Sequence, residues 1–101
     1  MIYRNVRKNL PKNLESHKDE RGEIHDIFFN DKIEHVAIID SKPNTLRGNH
    51  YHKETTQHML ITKGSLEYWY KEVASNKVKM KLLKEGDLVS TPPYEIHALK
   101  I

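Results

Sequence analysis

Apolar and polar residues alternate with a period of two along much of the chain, which is the pattern of β-strands that have one face against a core. The stretch "KVKMKLL" is the clearest case. Its two faces carry different residues: Val78, Met80 and Leu82 on one, and Lys77, Lys79 and Lys81 on the other. The lysine face is predicted to lie in water. No segment keeps the period of about 3.6 residues that a helix requires.

Short strands are predicted between frequent turn signals. "EIHDIFF" and "KIEHVAIID" are rich in β-branched and aromatic residues, which favour strands. "SKPN" and "KEGD" are typical of turns. Only the N-terminal stretch "KNLPKNLESHKDERG" is compatible with a short helix or loop. Roughly eight strands of this kind predict an all-β sandwich or barrel.

Composition narrows the class of protein. The 101 residues are enough for one domain, and 37% hydrophobic with 31% charged residues is typical of a folded chain. There is no cysteine, which excludes disulfides and thiolate ligands. The net charge of +3 comes mostly from lysines that alternate with apolar residues, so no nucleic-acid partner is predicted. No apolar run or signal peptide is present, so the prediction is a cytoplasmic protein with no membrane partner.

Histidine is the most informative residue type, with seven in the chain. Three of them fall within Arg47–Gly64, "RGNHYHKETTQHMLITKG". His50 and His52 are two apart, so they share one face in a strand. Such a pair alone is close to what chance gives for this histidine content. The pair gains weight from an ordered set of residues that follows it, namely Gln57, Gly64, Gly86, Pro92 and His97.

These positions resemble the two motifs of the cupin superfamily of small β-barrels. "HYHKETTQHMLITKG" is similar to the first motif and "GDLVSTPPYEIH" to the second. The resemblance implies a cupin jelly-roll barrel and one cupin domain over residues 1–101. Within it, motif one spans about 47–64, motif two about 86–97, and an N-terminal arm 1–22. The chain departs from the family pattern at Asn44, Gln57, Tyr94 and Ile101.

Cupins of this pattern hold one divalent metal, and the resemblance carries its ligands to four residues of this chain. They are His50, His52, Gln57 and His97, with zinc, iron, nickel or manganese as the cofactor. Gln57 stands where the family has glutamate and brings no negative charge, so a weaker and more positive site is expected. A metal-free interior, in which the histidines are acid/base groups or polar lining, stays open.

A narrower likeness concerns "RGNHYHK" and "DERGEIHDIF", which look like segments of nucleotide-sugar cupins. It implies an isomerase or epimerase that acts on a nucleotide-linked keto sugar, with His50 as the base and His52 as its partner. The remaining candidates are Tyr94 for catalysis and Arg47, Tyr68 and Tyr70 for substrate binding. The alternatives are a metal-dependent dioxygenase and a non-catalytic cupin that binds a small-molecule ligand.

A homodimer is also predicted. Trp69 alternates opposite to Tyr68 and Tyr70, which places it on the outer face of its sheet. "HVAIID" is apolar on both faces, as a strand buried on both sides would be. The other histidines are predicted to lie away from the site: His17, His25, His35 and His58.

Overall fold

The computed structural model describes residues 1–101, which form nine β-strands and no helix. In chain order the strands are β1 (Ile2–Asn5), β2 (Ser16–Asp19), β3 (Gly22–His25), β4 (Leu46–His50), β5 (Gln57–Leu60), β6 (Ser65–Glu72), β7 (Lys79–Lys84), β8 (Asp87–Thr91) and β9 (Glu95–Lys100). The predicted all-β class is therefore confirmed. The chain forms no helix with the length and hydropathy of a membrane-spanning segment.

The strands pair antiparallel in three open sheets. A three-stranded sheet has the order β1-β8-β5, a hairpin joins β2 and β3, and a four-stranded sheet has the order β4-β9-β6-β7. β5 ends the first of these sheets, while β4 and β7 end the last, so each sheet keeps free edges. The predicted jelly-roll barrel is not confirmed, because no pairing closes these edges.

The core is small and lies between the three-stranded and four-stranded sheets. Its buried members are Val89 of the first sheet, Tyr68 and Leu83 of the second, and Ile61, which follows β5. The prediction from alternation in β6 is confirmed, since Tyr68 is 1% exposed and Trp69 is 39% exposed. A domain of this size buries a modest share of its surface, so each core side chain carries much of the stability.

β7 keeps the predicted period of two but turns its faces the other way. Leu82 is 66% exposed and Met80 is 44% exposed, while Leu83 is fully buried. Lys81 shares the inward face with Leu83, and its ammonium lies 3.9 Å from the centre of the Tyr3 ring. Lys77 and Lys79 lie in water as predicted, but Lys81 does not, and the apolar face of Val78, Met80 and Leu82 is exposed. A lysine stem can cover apolar surface while its charge rests on an aromatic ring.

The predicted strand "KIEHVAIID" does not form. Residues 27–43 lie outside every strand and make no backbone–backbone hydrogen bond. The strand predicted for "EIHDIFF" likewise stops at His25. Strand propensity cannot by itself create a strand, because the backbone groups need a neighbouring edge to pair with. At the N-terminus, no helix forms, and β1 instead pairs with β8.

Candidate metal centre

A β-bulge in β4 places one of the candidate ligands. Gly48 lies opposite Ala98 in β9, and His50 lies opposite the next residue back, His97, so Asn49 is the extra residue of the bulge. Gly48 and Asn49 both have positive φ, at 89° and 64°. A Cβ on residue 48 would stand 2.9 Å from the carbonyl oxygen of His97. The position therefore requires glycine, both for its backbone angle and for this close approach.

Three histidines meet at this point of the four-stranded sheet. His50, His52 and His97 can bring one ring nitrogen each to within 4.8 Å of one another. The ring centre of His50 lies 5.1 Å from that of His52 and 4.7 Å from that of His97. His97 is buried, His52 is half-buried and His50 is exposed, so the cluster opens to solvent on one side. The structure thus brings together three of the four predicted ligands.

The donor set fits a divalent transition metal. Two imidazole nitrogens bound to one such ion are at most about 4.2 Å apart, because each bond is about 2.0–2.1 Å long. The candidate ligand nitrogens lie within 4.8 Å of one another, which is close to this distance. Burial, together with the neighbouring His50 and His52, lowers the pKa of His97 and keeps its ring neutral. The neutral ring is the form that donates a lone pair to a cation.

Two buried polar atoms near this cluster lack a hydrogen-bond partner, namely Nδ1 of His97 and Oε1 of Gln57. Gln57 pairs with Thr91 in the three-stranded sheet, so the two side chains share a face. Thr91 in turn hydrogen-bonds the Tyr68 hydroxyl, which turns that face toward the four-stranded sheet. Buried polar atoms are seldom left unpaired in folded proteins, and a bound cation would satisfy atoms of this kind.

A buried network supports His97 from the side. The Tyr68 ring lies nearly parallel to the His97 ring, with an angle of 9° between them. Its hydroxyl hydrogen-bonds Thr91 and donates to Glu95 Oε1 at 3.4 Å. The ammonium of Met1 forms an ion pair with the other oxygen of Glu95 at 2.5 Å. Burial raises the pKa of Tyr68 to about 12, and the charge of Glu95 contributes to the rise. The phenol therefore stays protonated beside the histidines.

The sequence interpretation missed Glu95, although a signal for it existed. Glu95 stands two residues before His97 in β9 and so shares its face of the sheet. It is 5% exposed, which for a carboxylate requires partners of the kind that Met1 and Tyr68 supply. A Glu-x-His pattern in a predicted strand could therefore have identified it.

The remaining predicted site residues lie in different surroundings. Tyr70 pairs with His97 across β6 and β9, and its ring centre is 5.4 Å from that of Tyr68. Arg47 is exposed, and its guanidinium donates to Ser41 Oγ at 2.8 Å and to the Asp40 carbonyl at 3.3 Å. These bonds tie the end of the unpaired segment to β4.

Tyr94 is joined to the cluster by its backbone. Its N–H donates to the His52 carbonyl at 2.8 Å, and its carbonyl accepts from Val73 at 3.0 Å. Its φ is 63°, and its exposed ring centre lies 6.1 Å from that of Tyr51. A cleft of about 410 Å³ borders Tyr94 and Glu95, but none of the three histidines lines it. The cleft and the histidine cluster are therefore separate features.

Comparison with protein families decides the affiliation of the chain. Residues 17–100 match the family described as "Polysaccharide biosynthesis C-terminal domain". The chain belongs to this family. The match contains β3 to β9, all of β2 except its first residue, and every residue of the histidine cluster. No curated protein matches the chain.

The interpretation of the chain as a cupin was therefore wrong, since the family that matches is a different one. The isomerase or epimerase function and its two cupin alternatives rested on that resemblance and are corrected with it. The matching positions were few, and each suits many antiparallel sheets. Glycine favours turns, as at Gly64 and Gly86, and alternate histidines share a face in any strand.

Proposed function

We propose that this polysaccharide-biosynthesis domain carries a divalent metal centre at His50, His52 and His97, and that the centre binds an anionic oxygen of a sugar intermediate. The observation that carries the proposal is the convergence of one ring nitrogen from each histidine to within 4.8 Å. The buried Nδ1 of His97 also lacks a hydrogen-bond partner. Three imidazoles are a ligand set that suits zinc, iron or nickel. The membership of the chain in a polysaccharide-biosynthesis family supports a carbohydrate as the ligand.

Gln57 is the proposed fourth ligand, through its unpaired amide oxygen. It stands on the other sheet from the histidines, so its participation would draw the two sheets together at the site. Glutamine and histidine are both neutral ligands, and the full charge of a dication would remain at the centre. A neutral ligand set therefore favours a carboxylate or phosphate oxygen over a hydroxyl as the group that binds there.

The surrounding residues would position such a ligand. A bound dication polarises an oxygen that coordinates it, which is the chemistry a metal supplies at such a site. His50 is exposed, so the ligand would approach from its side of the cluster. The buried ring of His97 lies nearly parallel to the buried ring of Tyr68, whose hydroxyl donates to Glu95.

Cobalt(II) provides the test, because its visible spectrum reports both occupancy and coordination. Titration of the wild-type protein is expected to saturate at one ion per chain. His97→Ala is expected to weaken binding by more than about tenfold, since a supporting residue alone is worth 10–100-fold. His17→Ala is the matched control, because the side chain of His17 is 63% exposed, pairs with Asp19 and is not a member of the cluster. Equal binding by all three proteins would refute the metal centre.

Gln57 and the ligand can be tested on the same protein. Gln57→Glu is expected to tighten cobalt binding by adding a negative charge, and Gln57→Ala to weaken it. Glucuronate added to the cobalt-loaded protein is expected to change the visible spectrum, whereas glucose, which lacks a carboxylate, is expected to change it much less. Metal binding without any response to glucuronate would leave the centre in place and reject the anionic sugar.

A further inference from the structure

An unpaired stretch of chain offers a β-strand to a partner. We call the segment from Lys32 to Asp40 the open segment. Its backbone makes no backbone–backbone hydrogen bond, although its residues are strand-forming. Its large apolar side chains lie in solvent, with Val36 at 82% and Ile38 at 90% exposure. Such a surface on a folded chain marks an interaction site.

The chain is anchored on both sides of the open segment, at Ile27, which precedes it, and at Asp40, its last residue. The Arg4 guanidinium donates to the Ile27 carbonyl at 2.8 Å on one side. Arg47 donates to the Asp40 carbonyl at 3.3 Å on the other. Between these anchors the chain makes no backbone–backbone hydrogen bond, so its donors and acceptors are available to a pairing strand.

The free edge of β7 differs from the open segment in its charge. β7 carries three lysines, Lys79, Lys81 and Lys84, and Lys77 precedes it. Rows of lysine along an edge strand discourage pairing with another chain, because like charges would meet. The open segment carries its only lysine at one end, and its middle from His35 to Ile39 has no charged side chain at neutral pH when histidine is neutral. Its edge is therefore unprotected.

We propose that the open segment pairs antiparallel with the same segment of a second copy of this chain, across a two-fold axis at Val36. In this register Val36 lies opposite its own copy, Ile33 lies opposite Ile39, and Lys32 lies opposite Asp40. The symmetry repeats each of the last two pairs. The Val36 pair and the Ile33–Ile39 pairs therefore lie between two terminal pairs of opposite charge.

Charge selects the second copy as the partner. A two-fold interface requires a surface that is complementary to itself, and the opposite charges at Lys32 and Asp40 provide this. The present ion pair of Lys32 with Glu34, at 3.1 Å, involves side chains that are 86% and 75% exposed. An exposed pair of this kind contributes little and does not oppose the new contact. In the dimer Glu34 faces Ile38 and keeps Lys32 beside it on the same face.

Disulfide formation tests the register, because the chain has no cysteine of its own. In Val36→Cys the two sulfurs would face each other across the axis, where opposite Cβ atoms are on the order of 5 Å apart. Mild oxidation is expected to convert this variant into a covalent dimer. Val78→Cys is the matched control, since it places cysteine at another exposed valine, 59% exposed, beside β7. Failure of V36C to cross-link, or equal cross-linking of V78C, would overturn the proposal.

Charge reversal gives a second test that leaves the core untouched. Asp40→Lys and Lys32→Asp are each expected to weaken the dimer roughly tenfold by sedimentation, because like charges then meet at both ends. An equimolar mixture of the two variants is expected to form heterodimers near the wild-type affinity. Two results would contradict this pairing. One is a wild-type protein that stays monomeric at about 100 µM. The other is a dimer whose dissociation constant neither charge reversal changes. Protection of the segment's amides from hydrogen exchange in a monomer would contradict it as well, because it would mean that the segment folds back on its own chain.

Discussion

Asp87→Asn is expected to destabilise the fold strongly, because it removes a buried charge that several groups share. Asp87 is 1% exposed. Its Oδ1 accepts hydrogen bonds from the Tyr3 hydroxyl and from Asn5 Nδ2, each at 2.9 Å. Its Oδ2 accepts from the backbone N–H of Lys84 at 2.8 Å. These bonds join β1 and the last residue of β7 to β8, so the carboxylate connects both main sheets.

The magnitude follows from what asparagine cannot do at this position. Its carbonyl oxygen can still accept from Tyr3 and Asn5, but its amide nitrogen would face the Lys84 N–H, donor against donor. An unpaired buried donor costs about 1–3 kcal/mol, and the two remaining bonds lose the strengthening that charge gives. The expected loss is about 2–4 kcal/mol, out of roughly 5–15 kcal/mol for an ordinary domain.

The loss is expected to depend on pH. Burial raises the pKa of Asp87, but hydrogen bonds from Lys84, Asn5 and Tyr3 outweigh it and leave the pKa below its usual value. A carboxyl with a lowered pKa in the folded state stabilises the fold above the unfolded-state pKa of about 3.9. That stabilisation is lost as the pH falls through the folded-state pKa. The difference between wild type and Asp87→Asn should therefore be constant near neutrality and shrink below about pH 4.

Urea denaturation followed by Trp69 fluorescence, repeated from pH 7 down to pH 3 or so, measures this difference. Asp31→Asn is the matched control, because Asp31 is exposed, and it is expected to change the free energy of unfolding by less than about 0.5 kcal/mol. A loss for Asp87→Asn no larger than for the control, or one that grows as the pH falls, would refute the role assigned to the buried carboxylate.

Three further predictions concern the core and the site. Leu83→Ala should cost about 2–5 kcal/mol in urea denaturation because Leu83 is fully buried, whereas its exposed neighbour control Leu82→Ala should cost less than about 1 kcal/mol. Gly48→Ala should weaken cobalt binding roughly tenfold or more, because a Cβ would stand 2.9 Å from the His97 carbonyl, and unchanged affinity would contradict the role of the bulge. Tyr68→Phe should remove the phenol that ionises near pH 12 in an ultraviolet titration of the folded protein, and an unchanged curve would count against the burial of that hydroxyl.

The alternation of apolar and polar residues predicted strands correctly where a neighbouring strand is present to pair with. β6 and β7 form where the period of two is clearest, and the inward position of Tyr68 followed from it. The same pattern could not tell which face of β7 points inward, because Lys81 is polar by type yet packs its charge on Tyr3. It also predicted a strand over Lys32–Asp40, where the residue preferences are satisfied but no neighbouring edge is present.

The histidine cluster was predictable in part. His50 and His52 share a face by spacing alone, but their approach to His97 depends on the bulge in β4, which sequence spacing does not reveal. Spacing alone could place Glu95 on the face of His97, but its burial depends on an ion pair with the ammonium of Met1, at the far end of the chain. Contacts of this kind are set by sheet pairing and not by local pattern.

The bulge links the proposed site to the fold that carries it. An antiparallel pair without the extra residue would keep a single register between β4 and β9, and His50 would shift by one place and turn to the opposite face. The positive φ at Gly48 and Asn49 therefore redirects one strand so that both histidine positions of "HYH" can meet His97. The positive φ of Asn49 is a strained conformation for a residue with a side chain, whereas Gly48 adopts its own without strain and leaves room beside the His97 carbonyl. Since that carbonyl belongs to the one buried member of the cluster, the same residue fixes the bulge and anchors the ligands.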